Sequence, residues 1–323
     1  MTQSEMIAAT AARLSQGRAA AVRLTDSTVS LVCDVSGLDE TARADMIGRL
    51  KAELGAMDGV DEVRIAETSE RRELPIVAVA SGKGGVGKST LATNIAVALA
   101  LAGRKVGIVD ADIYGPSQPT LLGCDETRPE ARDKKLVPVE CRHGIGLLSM
   151  GQLVKPGQAI AWRGPMAGNA LTQLVDAHWG ATELLIADMP PGTGDVQLSM
   201  IQRHKPVGAV IVSTPQDLAL IDARRAIALF EQAGVPIIGL VENMAGYACP
   251  HCGEISDPFG SGGVERAAQE IGVAFLGRIP LSLGVREASD GGEPPAGSEN
   301  DLAQPFRDIA GRVARWVDER RTA

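Results

Sequence analysis

Between positions 82 and 90 the chain reads GKGGVGKST, with four glycines, two lysines and two hydroxyls in nine residues. Gly82, Gly87, Lys88 and Ser89 satisfy G-x-x-x-x-G-K-[ST]. Glycines without a Cβ let the backbone turn tightly and approach an anion closely. Backbone N–H groups and the positive end of a following helix then face that anion. The expected phosphate cradle is therefore Gly82, Lys83, Gly84, Gly85, Val86, Gly87, Lys88, Ser89 and Thr90. Lys88 is expected to reach the β- and γ-phosphates, and the Ser89 hydroxyl to ligate Mg²⁺. Lys83 adds a second cation early in the loop.

Acidic residues at two other places suit the same chemistry. Asp110 and Asp112 stand two apart after an apolar run, so both face one side while the chain stays extended. Carboxylates there hold Mg²⁺ through water or orient an attacking water. A second apolar run, ELLIAD, ends in Asp188, the position of a carboxylate beside the loop's Mg²⁺. Pro190, Pro191 and Gly192 follow and force a non-helical turn. A third feature is Cys249-Pro-His-Cys252. Its spacing suits two thiolates on one metal or cluster, or a redox pair. Two ligands complete neither a tetrahedral zinc site nor a four-cysteine cluster, whereas a two-fold dimer brings four thiolates to its axis.

These loops need strands and helices to place them. From Leu74 onward strand-like and helix-like segments alternate. Strands are expected at 75–81, 105–111, 145–149, 183–188, 207–213, 236–242 and 274–279. Helices are expected at 87–102, 165–179, 194–204, 217–233, 262–271 and 301–319. Runs such as IVAVA are apolar on both faces, as a helix-covered parallel sheet requires. The fold class is α/β, a doubly wound, mostly parallel sheet of the P-loop NTPase type, whose ligands sit at the carboxyl ends of strands. Residues 1–70 read as a small α+β unit, with strands at 19–24, 28–34 and 60–67 and a helix at 39–54. A charged linker, 68–73, joins it to a second domain, 71–323. Trp162-Arg163-Gly-Pro165 opens a helix with proline in its first turn. Residues 301–320 form an amphipathic helix expected to pack on the sheet.

The chain has 323 residues and a net charge of −8, which argues against a general nucleic-acid-binding surface. Aromatic residues are only 3%, so the core must rest on Ala, Val, Ile and Leu. No signal-like N-terminus and no apolar stretch of membrane-spanning length stand out. The expectation is a cytoplasmic protein with neither membrane nor nucleic acid as partner. Five cysteines, an odd number, suggest no disulfide framework.

The string SGKGGVGKST resembles the deviant P-loop of the nitrogenase iron protein, MinD, ParA and Mrp/ApbC group. DMPPGTGD at 188–195 and ENMAGYACPHCG at 242–253 resemble the Mrp/ApbC iron–sulfur carriers in particular, over about residues 75–295. That resemblance implies an ATP-hydrolysing homodimer in which Lys83 reaches the partner's nucleotide and Asp112 positions the attacking water. It implies that Asn243 contacts adenine, although by its chemistry alone it is equally a turn cap. It also implies that Cys249 and Cys252 hold a bridging [4Fe–4S] cluster destined for apo-proteins. Residues 1–70 resemble a degenerate iron–sulfur-assembly domain. The rival reading is a MinD/ParA-type positioning ATPase with a structural metal at the cysteines.

Overall fold

The computed structural model describes residues 2–36, 38, 40–68, 74–153, 164–249, 251–252 and 254–321. Two compact units emerge, Met1–Glu73 and Leu74–Ala323.

The first unit contains α1 (Gln3–Leu14), β1 (Ala19–Thr25), β2 (Thr28–Asp34), α2 (Glu40–Gly55) and β3 (Glu62–Thr68). β2 is central, antiparallel to β1 and parallel to β3. Its alternate residues Val29, Leu31 and Cys33 pack with Ile7, Ala11, Leu50 and Leu54 from the helices. Helix α1 begins with a capping box. Thr2 Oγ1 accepts the Glu5 N–H and the Glu5 carboxylate accepts the Thr2 N–H. No helix is among the elements expected there from the sequence. Cys33 is fully buried, and burial pushes its thiol pKa up, as for a small core hydrophobe.

The second unit begins with β4 (Ile76–Ser81), α3 (Lys88–Leu101), β5 (Val106–Asp110) and α4 (Gln118–Leu121). A small hairpin, β6 (Glu130–Arg132) and β7 (Lys135–Val137), precedes β8 (Val139–Glu140) and β9 (Gly146–Ser149). Next come α5 (Gly164–Val175), β10 (Leu184–Asp188), α6 (Asp195–His204), β11 (Gly208–Ser213) and α7 (Asp217–Gln232). The chain closes with β12 (Ile237–Ala248), β13 (Ile255–Ser256), α8 (Gly263–Ile271), β14 (Phe275–Leu281), α9 (Leu283–Asp290) and α10 (Gln304–Arg321).

Strands β14, β12, β11, β4, β10, β5 and β9 lie side by side, all parallel, with β13 and β8 antiparallel at the margins. Every residue of β4 is buried. Its Val77 and Val79 pack with α3 and α10, while Ile76, Ala78 and Ala80 face α5, α6 and α7. A strand covered on both faces must be apolar throughout, and this one is. The central strands end at one edge, where Asp110 pairs in register with Asp188 and Ser213 with Glu242. The functional loops leave from that edge.

The structure departs from the sequence reading in several places. The helix expected to run to 179 stops at Val175, because the Trp179 indole N–H caps it on the Leu174 and Val175 carbonyls. The strand expected to stop at 242 continues to Ala248. Helices α4 and α9 and the β6–β7 hairpin lie outside the segments expected from the sequence. Cys124 and Cys141 are joined in a disulfide where none was expected; the two ends meet only once the chain between them folds back through the hairpin. The linker beyond Thr68, and Trp162 with Arg163, lie outside the described residues. The last helix packs as expected: Phe306, Ile309, Val313 and Val317 are buried. Among the described residues no helix is long and apolar enough to cross a membrane.

Candidate functional site

The loop between β4 and α3 wraps an open cleft of about 370 Å³. Lys83, Gly84, Gly85, Gly87, Lys88, Ser89 and Thr90 line it, joined by Asp112, Gly115, Pro191 and Met244. Two of the loop's glycines are required by space. A Cβ on Gly82 would lie 2.1 Å from the Asp222 backbone. At Gly87 the backbone has φ +85°, and a Cβ would lie 2.0 Å from Asn243 Nδ2. That amide donates to the Val86 carbonyl at 2.8 Å and holds the loop's last turn. Gly87 then caps α3, whose first residue is Lys88.

Lys88 is buried and its ammonium bonds the fully buried Asp188 carboxylate. It also donates to Ser89 Oγ at 3.2 Å and lies 3.9 Å from Asp112 Oδ2. The other Asp188 oxygen accepts from Gln118 Nε2 at 2.8 Å. Gln118 is buried as well: Nε2 also donates to the Ser89 carbonyl at 3.0 Å, and its backbone N–H reaches Asp110 Oδ2 at 3.2 Å. It was missed from sequence, although it stands six residues beyond Asp112. Asp112 Oδ1 accepts the Tyr114 and Gly115 N–H groups, both at 3.2 Å, which leaves Oδ2 toward Lys88.

Asp110 is buried behind this group and bonded by the Ser149 hydroxyl at 2.9 Å. Burial first, and then the Asp188 charge, push its pKa up to about 8, against the pull of Ser149, the Gln118 N–H and Lys88. Asp110 therefore holds its proton to higher pH than an ordinary carboxyl and, through its bonds to Ser149 and to the Gln118 and Asp112 N–H groups, serves as scaffold. The hard oxygens of Ser89, Asp188 and Asp112 make a donor set that suits Mg²⁺.

The site thus gathers Lys83, Lys88, Ser89, Asp112 and Asp188 as the spacing suggested, and places Asn243 on the loop backbone. Glu242 was also missed. It is fully buried, accepts the Gly262 and Val264 N–H groups at 3.1 and 2.8 Å and takes the Arg278 Nε–H at 3.0 Å. It ties the middle of β12 to the start of α8 and to β14.

Beyond Asn243, β12 continues through Met244, with φ +59°, and Gly246 to Ala248. Tyr247 and Ala248 pair antiparallel with Ser256 and Ile255. Cys249 and Cys252 therefore occupy the tip of a short hairpin rather than a free loop. Pro250 and Gly253 lie outside the described residues. Cys252 is exposed and Cys249 half-buried. Hydrogen bonds from the Cys252 and His251 backbone N–H groups hold the Cys249 pKa below that of an ordinary thiol. Among the described residues, no cluster of three or more His, Cys, Asp or Glu side chains is placed to bind a metal.

The chain matches the model of the ParA family described as NUBPL iron-transfer P-loop NTPase over residues 74–314. It is 46% identical over 277 residues to an iron-sulfur cluster carrier protein of Pseudomonas fragi, covering 81% of this chain and 94% of that one. It is 48% identical over 242 residues to an iron-sulfur cluster carrier protein of Escherichia coli K12, covering 74% of this chain and 66% of that one. Among solved structures it resembles a nucleotide-binding protein of Archaeoglobus fulgidus in complex with ADP. The TM-score is 0.62 at 40% identity, covering 72% of this chain and 91% of that one.

Proposed function

This chain belongs to the ParA/NUBPL family of iron-transfer P-loop NTPases, and from that premise we propose that it is an ATP-dependent carrier of iron–sulfur clusters. It works as a homodimer, binds Mg-ATP in the glycine-loop cleft and holds a [4Fe–4S] cluster, its cargo, between two copies of the Cys249/Cys252 hairpin. Recipient apo-proteins take the cluster from there. The observation that carries this reading is the continuity of β12. One strand holds the phosphate loop through Asn243, lines the cleft with Met244 and ends in the cysteine hairpin.

The residues divide the work by their chemistry. The loop N–H groups, with Lys88 and Thr90, bind the phosphates. Lys83, in the cleft mouth, faces the second chain's nucleotide. Asp112 Oδ2, which accepts no backbone bond among the described residues, orients the attacking water. Ser89 and Asp188 would hold Mg²⁺, which would supply charge stabilisation to a transferring phosphoryl group. Asn243 fixes the loop and flanks the adenine. Two thiolates per chain form half of a four-thiolate set. The exposed Tyr114, beside Asp112, and Ile255, beside the cysteines, are apolar side chains that a partner chain would cover.

Cluster transfer tests the proposal. Cluster-loaded protein is mixed with an apo-ferredoxin and its absorbance is followed with ATP, with ADP and with Lys88→Ala. The proposal expects transfer whose rate depends on nucleotide in the wild type and not in Lys88→Ala. Transfer indifferent to nucleotide in both proteins refutes the coupling. A hairpin that retains zinc and never iron points to a structural staple instead.

A further inference from the structure

The turn after β10 is pinned at four points. The Asp188 carbonyl accepts the Ala111 N–H at 2.9 Å and the Met189 N–H bonds Val79 at 3.0 Å. The Gly192 N–H bonds the Ser81 carbonyl, at the base of the glycine loop, at 3.1 Å. Pro190 and Pro191 have no N–H to offer, so between these anchors the turn can be held only by its carbonyls. The fourth point is such a carbonyl: Gln197 Nε2 donates to Pro190 O at 2.7 Å.

Gln197 lies in the first turn of α6 and is fully buried. Only its NH₂ can face a carbonyl, so the Pro190 bond fixes which way the amide points. Its Oε1 is therefore directed away from Pro190. That oxygen is one of two buried side-chain polar atoms without a partner among the described residues. A buried, unpaired amide oxygen is destabilising, and native proteins keep few of them. A methionine would fill the same space without an unpaired oxygen but would leave the buried Pro190 carbonyl without this donor, so the amide is explained by its hydrogen bonding rather than by packing.

We infer that Gln197 is a positioning residue for ATP hydrolysis, a latch between the Pro190–Gly194 turn and helix α6. Its Nε2 keeps Pro191 at the rim of the cleft. Its Oε1 is an acceptor held for a backbone N–H of the Gly192–Gly194 segment, taken up when that turn closes on bound nucleotide. The turn thereby has two arrangements that share one glutamine, and α6 moves with whichever is made. Helix α6 packs on α5, Met200 and Leu171 belong to one buried cluster, and Arg203 reaches Asn169 and Thr172. The inference rests on the hydrolytic reading of the cleft.

The test is Gln197→Met, measured beside the wild type and Lys88→Ala for turnover, Michaelis constant, melting temperature and backbone hydrogen exchange. The latch expects turnover to fall about 10-fold or more, the size of one well-placed hydrogen bond in the transition state. The KM for ATP should stay within about two-fold, because the phosphate loop is untouched. The melting temperature should stay within about 3 °C, because removal of the unpaired Oε1 offsets the cost of leaving the buried Pro190 carbonyl without its donor. Exchange at 192–194 should slow when a non-hydrolysable ATP analogue binds the wild type, and should not slow in Gln197→Met. Turnover within about three-fold of wild type overturns the inference. So does slowing of exchange equal to that of the wild type. A variant that melts far lower or fails to fold also overturns it, because Gln197 would then be a packing residue. Wild-type protein without ATP turnover, or Lys88→Ala with full turnover, would instead refute the hydrolytic reading on which the latch rests.

Discussion

Replacing Gly87 by alanine strikes the cleft and β12 together. Its φ of +85° is a left-handed backbone that a residue with a Cβ adopts at a cost of about 1–2 kcal/mol. The added methyl would lie 2.0 Å from Asn243 Nδ2, so that amide must leave the Val86 carbonyl. The lost bond adds about 1 kcal/mol. The loop's nucleotide-competent form is then disfavoured by about 2–3 kcal/mol in total, a fall of about 30- to 150-fold in ADP affinity by titration calorimetry. Asn243→Ala alone removes that bond, for about five-fold, together with whatever its contact with the adenine adds. The two changes share that bond, so the double variant should bind no worse than Gly87→Ala, leaving a coupling of about 1 kcal/mol. Fully additive losses would refute the claim that Asn243 holds the loop. Wild-type affinity in Gly87→Ala would refute the account of the loop itself.

Asp110, raised to about 8, binds its proton more tightly folded than unfolded. In chelating buffer its contribution is full below about pH 4 and is lost between about pH 4 and 8, at up to about 1.4 kcal/mol per pH unit. Asp110→Asn should flatten that decline in urea midpoints, and an unchanged pH profile would count against a buried protonated carboxyl. The Cys124–Cys141 disulfide closes a separation of 17 residues, so Cys124→Ser should lower unfolding stability by about 3 kcal/mol under oxidising conditions and leave it unaltered in excess reductant. In metal-free protein at neutral pH, iodoacetamide should label Cys249 before Cys252, since backbone N–H groups favour the Cys249 thiolate; peptide mapping reads the order.

Much of the nucleotide site is legible in the chain because its parts are local. Gly82–Thr90 is a continuous string, and Asp112 and Asp188 each follow an apolar strand whose end must lie at the same edge of the sheet. Gln118 and Glu242 escaped because their importance lies in partners brought together by the sheet, 70 residues away in the case of the Gln118–Asp188 bond, and Gln197 because its partner is a backbone carbonyl, Pro190 O, that no residue type announces. No periodicity marks such residues. Helix α1 was readable and passed over: Thr2 and Glu5 form its capping box, and Ile7, Ala11 and Leu14 give it an apolar face. The hairpin under the cysteines was hidden by Gly246, which reads as a loop signal yet here bends a strand that goes on pairing. The Cys124–Cys141 bridge depends on a fold-back through β6 and β7, three-residue strands too short for their pattern to stand out.

The central claim is that two copies of this chain assemble one cluster on four hairpin cysteines. Iron and acid-labile sulfide, counted after anaerobic reconstitution and alongside the mass of the particle, test it most directly. The account predicts ~4 iron and ~4 sulfide per two chains in a dimer, falling to background in Cys249→Ser. Iron content unchanged by Cys249→Ser, or a full cluster on a monomer, would contradict it.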